Sequence, residues 1–377
     1  MDAKCLLLAR QGPPDDAGVI GEHLLELGEL AKSCGMEPVG GRQLRRAAVD
    51  PRSFYGKGQL EGVAHEAKGL GATLLVCDDE LSGGQVRNIE KTTGMGAMDR
   101  TGLILAIFET RARTREARAQ VELARYEYEL PRLKGAWTHL ERQVGGVNVR
   151  GGPGETQIEV DRRMTRQRIG QLKRELAHME GVRRTQREGR AEGLKRVSLV
   201  GYTNAGKTTL FKALTGNGEP ADMLFATLDT TTRKAWLGSD GDTGEPKLAL
   251  VSDTVGFIRK LPHQLVAAFR STLGEVRTSD ALLIVTDAAH PDLDEHLRIV
   301  GATLREIGCQ DHPRLVVLNQ SDRLTRPRRL DLKRRLPGAA IVSALEKTGL
   351  DDIRAWLLDL APGPPAPREL EWWETPN

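Results

Sequence analysis

Gly201-Tyr202-Thr203-Asn204-Ala205-Gly206-Lys207-Thr208, directly after the apolar run Val197–Val200, constrains the fold of this chain more than any other stretch. It matches G-x-x-x-x-G-K-S/T, a loop that joins a buried strand to a helix and wraps phosphate. The glycines let backbone N–H groups close round the phosphates, Lys207 meets the β/γ charge, and the Thr208 hydroxyl faces Mg²⁺. A helix starting near Gly206 adds its N-terminal partial positive charge beneath the same oxygens. The flanks agree, with a strand before and the amphipathic Thr209–Leu214 after. A doubly wound α/β sheet is expected, its strands near Val197, Ala235, Leu248, Leu282, Leu315 and Ile341 and its ligand at their carboxyl ends.

The base follows from residues further on. Leu315–Leu318 ends in Asn319-Gln320-Ser321-Asp322, which resembles the Asn-Lys-x-Asp guanine box of GTPases, with a carboxylate set to accept from guanine N1 and N2. Adenine lacks those paired donors and would leave the carboxylate unmatched. Gln320 stands where the usual Lys packs its stem over the base, so restoring Lys is expected to tighten binding. Ser343-Ala344-Leu345 looks like the next base-contacting element. Between the phosphate loop and the guanine box, Asp253-Thr254-Val255-Gly256 resembles D-x-x-G, with Asp253 holding Mg²⁺ through water and the Gly256 N–H sensing the γ-phosphate. Phe225-Ala226-Thr227-Leu228-Asp229 lies where a second Mg²⁺-bound hydroxyl, Thr227, is expected. Five elements in order read as a GTP-binding, GTP-hydrolysing domain, with Lys207, Thr227 and Gly256 carrying catalysis.

Phe257 occupies the position where many small GTPases carry a water-orienting Gln. Either a backbone group, a cation or a partner places the water, or Phe257 is a core residue. Slow turnover stimulated by a partner follows in both cases. Asn204 either ligates a monovalent cation such as K⁺ beside the β-phosphate or only tightens the loop.

The 377 residues suffice for two or three domains, and 39% hydrophobic with 28% charged residues describes a soluble protein. No apolar run reaches the roughly eighteen residues of a membrane span, and the start carries no basic-then-apolar leader. The four cysteines are scattered without C-x-x-C spacing, which argues against a zinc site or disulfide framework. A cytoplasmic monomer without membrane insertion, at most peripheral to the membrane, is expected. The formal charge of +3 is uneven, since residues 100–196 hold 22 Lys and Arg against 13 Asp and Glu. Two helical stretches lie there, Arg111–Lys134 and Gln157–Arg190. The second carries Met164, Ile169, Leu172, Leu176 and Met179, an apolar seam suited to a two-helix coiled coil or helical hairpin.

Between those helices, Trp137, His139, Arg142, Asn148 and Arg150 stand among glycines. Stacking faces and phosphate donors on a backbone that can approach closely suit looped RNA, with Trp137, Arg142 and Arg150 as contacts. The other reading is a linker anchored by Trp137.

Gly-Pro-Gly-Glu-Thr-Gln-Ile-Glu at 152–159, Trp137-Thr-His-Leu-Glu-Arg142, Asp99-Arg100-Thr-Gly-Leu-Ile-Leu105, Tyr55-Gly-Lys-Gly58, Asp79-Glu-Leu-Ser82 and Phe269-Arg-Ser-Thr-Leu273 join the elements above in resembling the HflX family of ribosome-associated GTPases. The resemblance runs from about Phe54 to Leu350. It implies an N-terminal α/β domain, a helical hairpin whose loop enters the large (50S) ribosomal subunit, a GTPase domain, and a role in splitting or rescuing stalled ribosomes under stress. Gln320 and the extra glycine in Arg150-Gly-Gly-Pro153 depart from the family pattern.

The N-terminal part reads independently as a parallel α/β unit. Cys5–Ala9, Thr73–Cys77 and Leu103–Phe108 are strand candidates, with helices at Gly18–Cys34 and Lys57–Gly69 between them. The expected divisions are 1–110 (α/β), 111–192 (basic hairpin), 193–362 (GTPase) and a proline-rich tail, 363–377. Trp372 and Trp373 either pack back on the GTPase domain or await a partner. A nucleotide-gated regulator of another RNA or protein is the alternative function, and Asp322 argues against an ATP-driven remodeler.

Overall fold

A computed structural model describes residues 3–13, 17–135, 157–188, 194–216, 224–225, 227–228, 230–239, 243–260, 265, 270–360 and 371–374. The chain divides into two compact units, Met1–Thr110 with Arg118–Ala177, and Arg111–Ala117 with His178–Asn377.

In the first unit, β1 (Lys4–Gln11), α1 (Ala17–Ser33), β2 (Glu37–Arg45), α2 (Lys57–Gly69), β3 (Leu74–Cys77), α3 (Gly83–Thr93) and β4 (Gly96–Asp99) alternate. The strands form one parallel sheet in the order β2-β1-β3-β4. Leu6, Leu8, Leu75 and Cys77 pack against Leu60, Val63 and Ile89 of the covering helices. Leu103–Phe108, expected as a strand, lies instead within α4 (Arg100–Arg111). A short unbroken apolar run fits a buried helix as well as a buried strand, and the fourth strand is the weakly apolar Gly-Ala-Met-Asp just before it. β2 has no strand signal in the sequence, being a half-buried edge strand with little alternation.

α5 (Arg115–Glu129) begins where the Thr114 hydroxyl accepts from the Ala117 N–H at 3.1 Å, a side-chain N-cap. The second long helix, α6 (Gln157–Glu188), faces α5 through the ion pairs Arg168–Glu122 (2.9 Å) and Lys173–Glu127 (2.8 Å). Its apolar seam is shorter than expected. Leu172 is buried and Ile169, Leu176 and Met179 are half-buried, whereas Met164 is exposed. The glycine-rich stretch with Trp137, Arg142 and Arg150 lies outside the described residues.

The second unit is built on a six-stranded sheet in the order β10-β9-β8-β5-β7-β6, from β5 (Lys195–Gly201), β6 (Thr231–Ser239), β7 (Pro246–Asp253), β8 (Ala281–Asp287), β9 (Arg314–Asn319) and β10 (Ala340–Ile341). Every strand expected here is present. All pairings are parallel except β6–β7, a hairpin at the edge. Because alternate residues of a strand face opposite sides, the sheet has two cores. Val197, Leu199, Leu283 and Val285 meet α7 (Lys207–Thr215) and α11 (Leu350–Asp359). Val200, Leu282 and Ile284 meet α9 (Leu293–Glu306) and α10 (Arg326–Arg335). α8 (Arg270–Arg277) leads into β8. Each buried Leu, Ile or Val contributes about 1.5–3 kcal/mol relative to exposure, so both faces hold the carboxyl-end loops firmly. Trp373 belongs to the second core and the adjacent Glu374 pairs with the buried Arg314, so these two residues pack back on this unit while Trp372 stays exposed.

Candidate nucleotide-binding site

The loop between β5 and α7 is fixed by close approaches that only glycine permits. A Cβ on Gly201 would run into the Val285 carbonyl oxygen, and one on Gly206 (φ +82°) into the Asn319 amide. Gly206 precedes α7 directly, so the helix N-terminus opens beneath the loop. Lys207 is buried, and its ammonium donates to the carbonyls of Gly201 (3.1 Å) and Tyr202 (2.7 Å). An ammonium has three donors, so one remains for a phosphate oxygen. Burial pushes Lys207 down to about 8, with Asp253 opposing that fall.

Three oxygens converge beside it. Thr208 Oγ1 and Thr227 Oγ1 lie 2.7 Å apart and donate to one carboxylate oxygen, Asp253 Oδ2, at 2.7 and 2.8 Å. The other oxygen, Asp253 Oδ1, is buried without a partner, and burial raises the pKa of this carboxyl. Two hydroxyls and an under-satisfied carboxylate form a hard-oxygen donor set that fits Mg²⁺, which takes few protein ligands and completes its shell with water and phosphate. Among the described residues no cluster of three His, Cys, Asp or Glu offers an alternative metal site.

The D-x-x-G segment is stitched to the loop. Thr203 N–H donates to Phe257 O (2.7 Å), Phe257 N–H donates to Gly201 O (3.0 Å), and the Thr254 hydroxyl donates to Leu199 O (2.6 Å). This holds Gly256 so close to Thr203 and the Lys207 ammonium that a Cβ there would clash with both. Val255 is buried, and Phe257 lies in the core with Val276 and Leu282, which decides between its two readings. On the opposite rim, Phe225 N–H donates to Thr203 Oγ1 (3.2 Å), while Phe225 and Leu228 are buried and so anchor the segment that carries Thr227. Ala226 and Asp229 lie outside the described residues. Asn204 is exposed at the loop tip with φ +61°, and Thr209 is half-buried behind it.

The base end is assembled from β9 and β10. Asn319 acts as a staple: its Nδ2 donates to Ala205 O and its Oδ1 accepts from Ala344 N–H, both at 3.0 Å. Asp322 is exposed, and its Oδ1 accepts from the Ser343 hydroxyl at 2.6 Å. A carboxylate has lone pairs to spare, so both oxygens remain able to accept from paired donors. The Ser321 N–H donates to Val342 O, and Leu345 projects into solvent. Gln320, at φ +61°, reaches the Asn204 carbonyl (3.5 Å) and accepts from Arg323 at 2.5 Å. Two further contacts carry no motif or spacing signal. His296 of α9 stacks on Tyr202 with ring centroids 3.8 Å apart, and the Tyr202 hydroxyl accepts from Arg259 N–H at 3.0 Å.

Family models match the chain in three consecutive blocks: GTP-binding GTPase N-terminal over 21–109, GTP-binding GTPase Middle Region over 111–190, and 50S ribosome-binding GTPase over 196–320. GTPase HflX of Caldanaerobacter subterraneus is 44% identical over 323 residues, which cover 85% of this chain and 73% of that protein. The chain belongs to the HflX GTPase family. HflX of Magnetococcus marinus is 48% identical, covering 79% of this chain and 68% of its own, and HflX of Escherichia coli is 45% identical, covering 80% and 70%. A solved structure described as SsGBP in complex with GDP superposes with a TM-score of 0.51 at 26% identity, over 95% of this chain and 98% of that one. The family motifs of the first unit have a structural account as well. Asp99 is fully buried and accepts from Leu81 N–H, Gly102 N–H, the Tyr128 hydroxyl and Arg132, while Arg100 pairs with Asp78 and Glu26. No helix among the described residues is long and apolar enough to cross a membrane.

Proposed function

We propose that this protein binds GTP and GDP with Mg²⁺, hydrolyses GTP slowly by itself, and acts in the cytoplasm as a monomer on the large ribosomal subunit, splitting or rescuing stalled ribosomes. The observation that carries the nucleotide part is the convergence of Thr208 and Thr227 on Asp253 beside the Lys207 ammonium. Thr208 and Thr227 would hold Mg²⁺ directly and Asp253 through water. When bound, Mg²⁺ would offset charge on the β- and γ-phosphate oxygens.

Lys207 keeps its third donor for the same oxygens, and Gly256 N–H meets the γ-phosphate as charge develops on it. Water attacks the γ-phosphorus, the bond to the β–γ bridging oxygen breaks, and GDP leaves with inorganic phosphate. Asp322 accepts from guanine N1 and N2. K⁺ beside Asn204 is a second cation within the proposal.

Phe257 is in the core and offers no polar group to the attacking water, which favours a partner that completes the site. The match to a 50S ribosome-binding GTPase model over 196–320 supports the ribosome as that partner. In this reading residues 1–110, 111–192, 193–362 and 363–377 are the functional divisions, and Trp137, Arg142 and Arg150 contact ribosomal RNA. The test is co-sedimentation with large subunits in a non-hydrolysable GTP analogue, paired with GTP turnover with and without subunits. Binding plus at least tenfold stimulation is expected. Turnover indifferent to ribosomes, with no co-sedimentation, would refute the ribosome role and leave the nucleotide chemistry standing.

A further inference from the structure

The helix that follows the guanine box, α10, sorts its charges by side. Arg328 and Arg335 are half-buried and paired, Arg328 with Asp331 at 3.2 Å and Arg335 with Asp294 of α9. Arg326, Arg329, Lys333 and Arg334 are exposed and have no partner among the described residues. At 3.6 residues per turn these four fall within about 140° of the helix circumference, and the paired residues lie on the other side. Arg326 with Arg329 and Arg329 with Lys333 stand three and four residues apart, where like charges destabilise a helix by a few tenths of a kcal/mol. Arg326 and Arg329 also sit at the helix start, where the dipole disfavours cations, and only Lys333 and Arg334 in the last turn gain from it; acids meanwhile pair the neighbouring cations on the opposite side.

We infer that the exposed stripe of α10 docks on the phosphate backbone of RNA. A dense row of unpaired cations, three of them guanidinium forks matched to phosphate oxygens, is complementary to a regular polyanion. Only Arg323, Leu324 and Thr325 separate Asp322 from the helix, so a strand held there lies next to the base-recognition loop. The inference deepens the ribosome reading by giving the GTPase unit its own RNA contact, and it rests on that reading only for the choice of particle.

The experiment uses the full chain with a non-hydrolysable GTP analogue and two probes, large ribosomal subunits and a short RNA duplex. Affinity is measured from 50 to 200 mM salt for the wild type, for a variant carrying Arg326→Gln, Arg329→Gln, Lys333→Gln and Arg334→Gln, and for one carrying Lys at the three arginine positions. Four phosphate contacts contribute a slope of about −3 in log affinity against log salt, or about 60-fold across this range. The glutamine variant should lose that slope on both probes, and the lysine variant should keep it. Equal slopes for wild type and glutamine variant on the duplex overturn the inference. If the glutamine variant is weakened on subunits but unchanged on the duplex, the stripe faces an acidic protein and the RNA assignment falls. A wild type that ignores subunits sinks the ribosome reading, and the duplex titration still decides the role of α10.

Discussion

Raising the pH above about 8 should weaken triphosphate binding through Lys207. Burial lowers this ammonium from 10.5 to about 8, a difference worth on the order of 3 kcal/mol at ~1.4 kcal/mol per unit. Phosphate oxygens favour the charged form, so Lys207 titrates higher in the complex than in the free protein. Below pH 8 it is charged in both, and affinity should be flat. Between 8 and its value in the complex, the free protein must take up a proton to bind, and affinity should fall by up to about tenfold per pH unit.

Stability moves in the opposite sense. The unfolded chain keeps Lys207 near 10.5 and so holds more protons between 8 and 10.5, and this group adds stability to the nucleotide-free protein as pH rises through that window. Calorimetric titration of a GTP analogue from pH 7 to 9.5, on wild type and Lys207→Met, isolates the effect. Guanine's own ionisation enters both proteins alike, so the difference between the two profiles belongs to Lys207. Parallel profiles would refute the reasoning, because they would mean that the buried ammonium does not change its protonation on binding.

Other substitutions probe the same site. Asp322→Asn should weaken GTP by at least about 100-fold through loss of two charge-assisted hydrogen bonds, with xanthine nucleotides gaining in competition titrations; equal affinity of the wild type for ATP and GTP would contradict the assignment. Gly201→Ala should lower the melting temperature by roughly 6–12 °C, since its Cβ meets the Val285 carbonyl and a cost of ~3 kcal/mol translates to a few degrees each in a unit of this size; an unchanged melting curve would mean that the loop relaxes freely. Gln320→Lys, expected from sequence to tighten guanine binding, should give no gain, because the new ammonium would face the Arg323 guanidinium that now donates to Gln320. A clear rise in affinity on titration would show that Arg323 moves aside.

The GTPase unit was largely legible because its chemistry is local. Each phosphate and base element is a short motif at the end of an apolar strand, and parallel strands buried on both faces give unbroken runs that are hard to miss. Leu103–Phe108 failed for the same reason that Leu282–Val285 succeeded. An apolar run of five or six residues reports burial and not backbone type, and only the neighbouring Gly96–Asp99 strand distinguishes them. β2 was missed because an edge strand half-covered on each side needs no alternation. The shortened seam of α6 has a similar origin, since the apolar spacing continues to Met164 although that side chain is exposed. Contacts between residues far apart in sequence left no trace at all: His296 on Tyr202 and Trp373 against α9 carry no spacing signal.

Those unsignalled contacts bear on how the site communicates. Asn319 joins the phosphate loop at Ala205 to the base loop at Ala344, so the two ends of a nucleotide are read by one rigid piece. Tyr202 extends that piece in a second direction, because its hydroxyl accepts from Arg259 just beyond D-x-x-G and its ring lies flat on His296 of α9. Along the same helix, a Cβ on Gly301 would press on the Trp373 backbone and ring, and Glu374 pairs with Arg314 at the start of β9. Trp373 and Glu374 therefore brace the helix that backs the phosphate loop. Phe257 N–H and O are bonded to Gly201 and Thr203, so any displacement of Gly256 must break hydrogen bonds to the loop or drag Tyr202 with it, and in the proposed mechanism loss of the γ-phosphate is what would drive it. Packed elements of this kind switch between discrete arrangements and do not deform smoothly, and Tyr202 is the residue at which the phosphate loop, the D-x-x-G segment and α9 meet.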